Sequence, residues 1–289
     1  MANSAGAPKR ALTSRWVITG IIAVLFLVVI GMVLGGAIAA DRAVHGADKA
    51  LKTTIDHQKT VGGTLTAQPF KSIDFTAGNP DIAAAKSALA AYGAQISGAQ
   101  ALVTADRARL LAAKQAVAGS VVTVPERATL DQRRHRVEAA LTALDSAQRA
   151  LDLYKKTADF LHPFFDAFAA VQAANRSIKA NDIVGAASQL KAAQDGVNKA
   201  LDLAKRPAIP QQFERLLTSV NFLLTDMQGL INAVQAHDIT GVHDFLNRVD
   251  GALNGASEYD PKIVDDYVTQ LYSPLRDAYR SNLRVAAGG

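Results

Sequence analysis

The stretch IAAAKSALAAYGAQISGAQALVTADRARLLAAKQAV, residues 82 to 117, decides the fold. Within it Ile82, Leu89, Ile96, Val103, Leu110 and Val117 recur every seven residues. Ala85, Tyr92 and Ala99 stand three residues after the first three of these, and Ala113 follows Leu110. A second row runs Leu130, Val137, Leu144, Leu151, Ala158 and Phe165, with Arg133, Ala140, Ala147, Tyr154, Leu161 and Phe168 at plus three. A sustained seven-residue repeat holds apolar side chains on one helical stripe, so the two rows predict coiled-coil packing. The short connection between them makes the helices antiparallel neighbours. If Val117 faces Leu130, one register carries down to Ile82 opposite Phe165 and sets Arg109 level with Glu138. The result is a coiled-coil hairpin over 80–165, with its tip at 118–129 and a rod roughly 50 Å long.

Upstream, Trp16 to Ala40 contains no charged residue and centres on IIAVLFLVVI, residues 21 to 30. About 20 apolar residues cross a bilayer core as a helix, so 16–40 reads as a transmembrane anchor, with Trp16 placed as an interfacial aromatic. Ala37 and Ala39 resemble a signal-peptidase site, but this apolar run is longer than a signal h-region, which favours an uncleaved anchor. Lys9, Arg10 and Arg15 make 1–15 a short basic tail, expected on the cytoplasmic side, with the bulk of the chain extracytoplasmic. Residues 41–79 follow as a juxtamembrane helix and connector. Val44, Asp48, Leu51 and Ile55 give the helix its spacing. Gly62, Gly63, Pro69, Gly78 and Asn79 mark the break, with an extended piece expected at Phe70 to Phe75.

Downstream, 166–285 reads as an antiparallel helical bundle containing a weak repeat. Ala180-Asn181-Asp182-Ile183-Val184-Gly185 resembles Ala236-His237-Asp238-Ile239-Thr240-Gly241, 56 positions later. The pattern predicts a helix, a tight turn and a second helix. Asn181 or His237 takes the left-handed position and Asp182 or Asp238 caps the helix that follows. A last helix is expected from Pro261 to about Leu283 and kinked at Pro274, with 286–289 a disordered tail. The whole chain is therefore expected to be all-α, and the motifs identify no family.

Composition narrows the chemistry. The absence of cysteine excludes disulfides, thiolate metal sites and a cysteine nucleophile. No phosphate-binding glycine loop, zinc-protease or nucleophile-elbow motif occurs. Ser188 to Lys191 matches S-x-x-K but lacks that motif's companions. His237, Asp238, His243 and Asp244 are spaced wrongly for one helical face, so they read as cap and surface residues rather than metal ligands. No catalytic residue, cofactor or metal is assigned, and the basic residues carry no nucleic-acid motif.

Two features could meet a partner. The hairpin tip carries Val121, Val122 and Val124 among Arg127, Arg133, Arg134 and Arg136. Between Ala105 and Val137 seven basic residues oppose three acidic ones, a balance of +4 against +5 for the whole chain. Such a tip suits an anionic lipid, an acidic envelope polymer or an envelope protein. The second feature is the aromatic cluster of Phe160, Phe164, Phe165 and Phe168, with Tyr267 and Tyr272 on the final helix, which could line an apolar pocket between helices. The sequence reading leads to a membrane-anchored, non-enzymatic envelope scaffold or interaction protein. Its alternative is an extracytoplasmic ligand-binding or sensory module built on that pocket. A scaffold expects a solid core, and a binding module expects an apolar cavity.

Overall fold

The computed structural model describes residues 40–73, 80–119, 127–256 and 261–289. The protein is all-helical. Helix α1 covers 40–56, followed by α2 (Gln58–Thr66), α3 (Ile82–Ala118), α4 (Arg127–Lys179) and α5 (Ile183–Ala204). The series ends with α6 (Gln211–Gln235), α7 (Ile239–Ala256) and α8 (Pro261–Ala287). Among the described residues, no helix is long and apolar enough to cross a membrane. The predicted anchor at 16–40 lies outside them except for Ala40.

Helices α3 and α4 form because alanine and straight-chain residues dominate them, and each buries its heptad stripe. All twelve residues of the two rows are buried, from Ile82 to Val117 and from Leu130 to Phe165. Polar rungs flank the stripe: Lys86 Nζ to Asp166 at 2.6 Å, Gln100 Nε2 to Asp152 at 2.8 Å, and Lys114 Nζ to Glu138 at 3.1 Å. Each rung is two heptads further along α3 and two heptads back along α4, so the antiparallel register is strict. The expected Arg109–Glu138 pair is not made. Arg109 donates to Asp106 at 2.7 Å, and Glu138 takes Lys114 and Arg134 instead. Lysine five residues nearer the tip reaches the carboxylate that a level arginine was expected to meet.

Backbone contacts divide the chain into two compact units, with α1, α3, α4 and α8 contributing residues to both. In the first unit, 40–55, 106–141 and 283–289 pack together. Here α1 buries Ala40, Ala43, Ala47, Ala50, Leu51 and Thr54, so of the expected face Leu51 is buried while Val44, Asp48 and Ile55 are only partly buried and alanines fill the stripe. Small residues let helix axes approach closely, which a valine-centred face would prevent. Arg133 Nε pairs with Asp48 at 2.7 Å, and Arg136 Nε donates to the Ala286 carbonyl at 2.7 Å. The expected disordered tail is helical through Ala287, because Ala286 is fully buried and its carbonyl is held by Arg136. Asp106 stands three residues after Val103, where an alanine would continue the row, and is 1% exposed.

The second unit comprises 56–105 and 142–282. Contrary to the expected break at Gly62 and Gly63, both glycines lie inside α2. Burial of Val61, Thr64 and Leu65 outweighs the poor helix propensity of the two glycines, and a Cβ on Gly62 would lie 3.8 Å from Tyr279 Cε1. Residues 70 to 73 form a turn closed by Ile73 N–H to the Phe70 carbonyl, rather than an extended piece. Phe75 lies outside the described residues.

The two repeat turns share one geometry. Asn181 and His237 have φ of 59° and 56°, and Asp182 and Asp238 accept from Gly185 N–H and Gly241 N–H at 2.8 and 3.0 Å. The main core of this unit joins α4, α5 and α6 through residues such as Phe160, Leu190, Val197, Leu217 and Leu224. A second cluster packs Ile82, Ala85 and Leu89 of α3 on Ala158 and Phe165 of α4.

Candidate functional site: an apolar cavity in the helical bundle

Within the second unit a cavity of about 350 Å³ opens among α3, α4, α6, α8 and two loops. The heptad row supplies one wall, Leu89 and Tyr92 from α3 and Tyr154, Ala158 and Leu161 from α4. The segment 67–70 after α2 brings Pro69 and Phe70, and the loop before α6 brings Ala208, Ile209 and Pro210. Phe160, Phe213 and Tyr272 add aromatic faces, and Val268, 41% exposed, stands at the rim. Among the described residues, no carboxylate, histidine, lysine or arginine lines the space.

The tyrosines present rings rather than hydroxyls. Tyr92 O–H donates to the Thr64 carbonyl at 3.4 Å, and Tyr154 O–H donates to the Leu65 carbonyl at 3.0 Å. The Tyr272 hydroxyl shares a 2.8 Å hydrogen bond with Thr157 Oγ1, which also donates to the Leu153 carbonyl. Tyr92 meets Tyr154 edge to face, with centroids 6.0 Å apart. Burial pushes Tyr272 up to about 12, although its bond to Thr157 opposes the change. Burial also raises Tyr92 and Tyr154, and the Arg276 guanidinium pulls Tyr154 partly back. Desolvation dominates all three, as expected for phenols facing an apolar space.

The six aromatic residues singled out from sequence do not form one pocket. Phe160 and Tyr272 line this cavity, whereas Phe164 and Phe168 line a second, of about 210 Å³, with residues such as Val197, Leu217 and Met227. Phe165 is turned to α3 and meets Phe70 edge to face at 5.6 Å. The Tyr267 hydroxyl donates to the Pro207 carbonyl. Tyr92, Tyr154 and Phe213 were not singled out as wall residues. For the first two a signal was present: each is a large ring in a plus-three row otherwise rich in alanine.

At the hairpin tip, Val121, Val122 and Val124 lie outside the described residues. Arg127 is exposed at the start of α4. Arg133 pairs with Asp48, Arg134 lies 3.5 Å from Glu138, and Arg136 holds the end of α8. The Lys114 bond holds the Glu138 carboxyl below its ordinary range, as befits a group shared by two cations. Three of the four arginines are thus engaged within their own unit.

Compared with protein-family models, curated proteins and solved structures, the chain finds no match. Fold and cavity alone define its class, an all-helical protein with an aromatic-walled apolar pocket.

Proposed function

We propose that the chain is a membrane-tethered, extracytoplasmic module that binds an apolar small molecule in the 350 Å³ cavity. The cavity carries this reading. Its volume falls in the range of about 300–1,000 Å³ that small-molecule sites occupy, and its hydroxyls are already bonded to the protein. A hydrocarbon guest would therefore displace no hydrogen bond. Binding is favoured over catalysis because the described wall residues offer no acid, base or nucleophile apart from these engaged hydroxyls. A pure scaffold, the leading expectation from sequence, has no use for an unfilled apolar space, which weakens packing. The membrane tether rests on the uncharged stretch at 16–40.

The test is to purify the full chain from its native membrane and identify extracted apolar molecules by mass spectrometry, beside Ala208→Leu, which fills the cavity from its loop wall. Enrichment of one chemical class with wild type, and its loss with the variant, is expected. Equal recovery from both proteins would remove the cavity from the account.

A further inference from the structure

Two apolar cavities of the second unit are linked by one cluster of aromatic rings in their walls. Phe160 and Phe213, which line the larger cavity, pack on each other with centroids 5.3 Å apart. Both also pack on Phe164, at 5.7 and 6.1 Å, and Phe164 lines the smaller cavity with Phe168. Phe164 and Phe168 are themselves 5.0 Å apart. The smaller cavity is as apolar as the larger, and Val220, Leu224 and Met227 of α6 also line it. Each has a partly exposed apolar residue in its wall, Val268 in one and Phe168, at 40%, in the other.

From this arrangement we infer that the ligand is a linear hydrocarbon chain, and that Phe164 sets the length the protein accepts. The inference rests on reading the larger cavity as a ligand site. A methylene occupies about as much volume as a water molecule, about 30 Å³, so the larger cavity holds roughly a dozen methylenes. The smaller cavity would hold roughly seven more at the same volume each. A compact polar guest finds no charged side chain among the described residues of either wall, and the hydroxyls of the larger one are already bonded to the protein; a rigid fused ring larger than the first chamber cannot bend past Phe164. A flexible chain needs neither. Its polar end stays at the Val268 rim and its tail stops against the Phe160–Phe164–Phe213 cluster. Phe164 is a specificity residue, acting by steric reach alone.

The test uses the full chain in nanodiscs, with linear alcohols carrying a terminal diazirine: dodecanol, hexadecanol and eicosanol. After illumination, labelled peptides are mapped for wild type, Phe164→Ala and Phe164→Leu, with circular dichroism checking that each variant keeps its helices. In wild type, dodecanol labels the walls of the larger cavity saturably, and eicosanol leaves the Val220 to Met227 segment unlabelled. In Phe164→Ala, eicosanol labels that segment roughly tenfold or more above wild type, since each further buried methylene favours binding about fourfold. Phe164→Leu gives an intermediate yield. Equal labelling of the segment in wild type and variants would show that Phe164 is no barrier. Saturable dodecanol labelling without any gain in either folded variant would also overturn the length rule while leaving the ligand site standing. Absence of saturable labelling by every chain would instead remove the ligand site itself.

Discussion

Tyr154 and Tyr272 stack face to face in the wall of the larger cavity, their ring centroids 4.4 Å apart and 16° from parallel. A phenolate in this stack would face a second ring and an apolar space, so the folded protein retains its phenolic protons longer than the unfolded chain does. Tyr272 is pushed from 10.0 to about 12 in the folded state. Between those values the unfolded chain has lost the proton and the folded one keeps it, so stability falls as pH rises. Below the ordinary tyrosine range this group leaves stability unchanged. Urea midpoints measured from about pH 9 to about pH 12 should therefore decline, and Tyr272→Phe should flatten the decline. The same slope in both proteins would mean that Tyr272 is not desolvated.

The repeat turns predict paired outcomes. A Cβ on Gly185 or Gly241 would overlap the carboxylate of Asp182 or Asp238. Alanine at either glycine should break the cap and cost about 0.5–2 kcal/mol, a range typical of lost N-caps. His237 holds a left-handed conformation that disfavours a β-carbon, so His237→Gly should gain about 0.5–1 kcal/mol despite the added freedom of the unfolded chain. Chemical denaturation reads all three changes. A destabilising His237→Gly would contradict the turn assignment.

Arg133 and Asp48 form a side-chain tie between α1 and α4, with the Arg133 side chain 21% exposed and that of Asp48 43% exposed. Partial burial sets this pair between a screened surface bridge and a buried one. Asp48→Ala is expected to cost about 1–2 kcal/mol. Arg133→Ala and the double variant complete a thermodynamic cycle, which should give a favourable coupling of about 1 kcal/mol. A coupling near zero would make the tie incidental to the packing of α1.

How much of this was legible follows from which forces dominate locally. The α3–α4 pair could be read because its heptads repeat without a miss and because side-chain periodicity is a local property of the chain. The turns at Asn181 and His237 could be read because capping chemistry spans only a few residues. Helix α2 was hidden, since the burial that holds Gly62 and Gly63 in a helix comes from distant segments. The cavity was half visible. Phe160 and Tyr272 stood out as aromatics, but the Pro69–Phe70 and Ala208–Pro210 walls come from loops whose course no periodicity encodes. The arginines of the tip were seen as a charged surface, whereas Arg133 and Arg136 turn inward to partners about 85 and 150 positions away along the chain.

The proposed topology has a direct reporter, because the chain contains no cysteine. Ser188 is exposed on α5, so Ser188→Cys introduces one accessible thiol. In intact cells an impermeant maleimide should label it without lysis, and the labelled protein should sediment with membranes. Labelling only after the membrane is opened would place this domain on the cytoplasmic side. Recovery in the soluble fraction would remove the anchor.

The last prediction separates a cavity kept for a ligand from one left by imperfect packing. Ala208 is 3% exposed and lines the larger cavity from the loop between α5 and α6. Leucine there would place three more carbons into apolar space beside Phe160 and Phe213, where they displace no hydrogen-bonded group. Cavity-filling changes commonly add about 0.5–2 kcal/mol, so Ala208→Leu should unfold at a higher urea concentration than wild type. If the space is a ligand site, the same variant should lose binding of dodecanol in the nanodisc assay. Stability gained together with binding lost is the expected result, because the void weakens packing but admits the guest. A gain in stability with binding unchanged would mean that the guest sits elsewhere. A loss of stability would mean that the walls around Ala208 cannot accept the extra volume, and the parallel variant Ala208→Val, with less added bulk, then tests the same space.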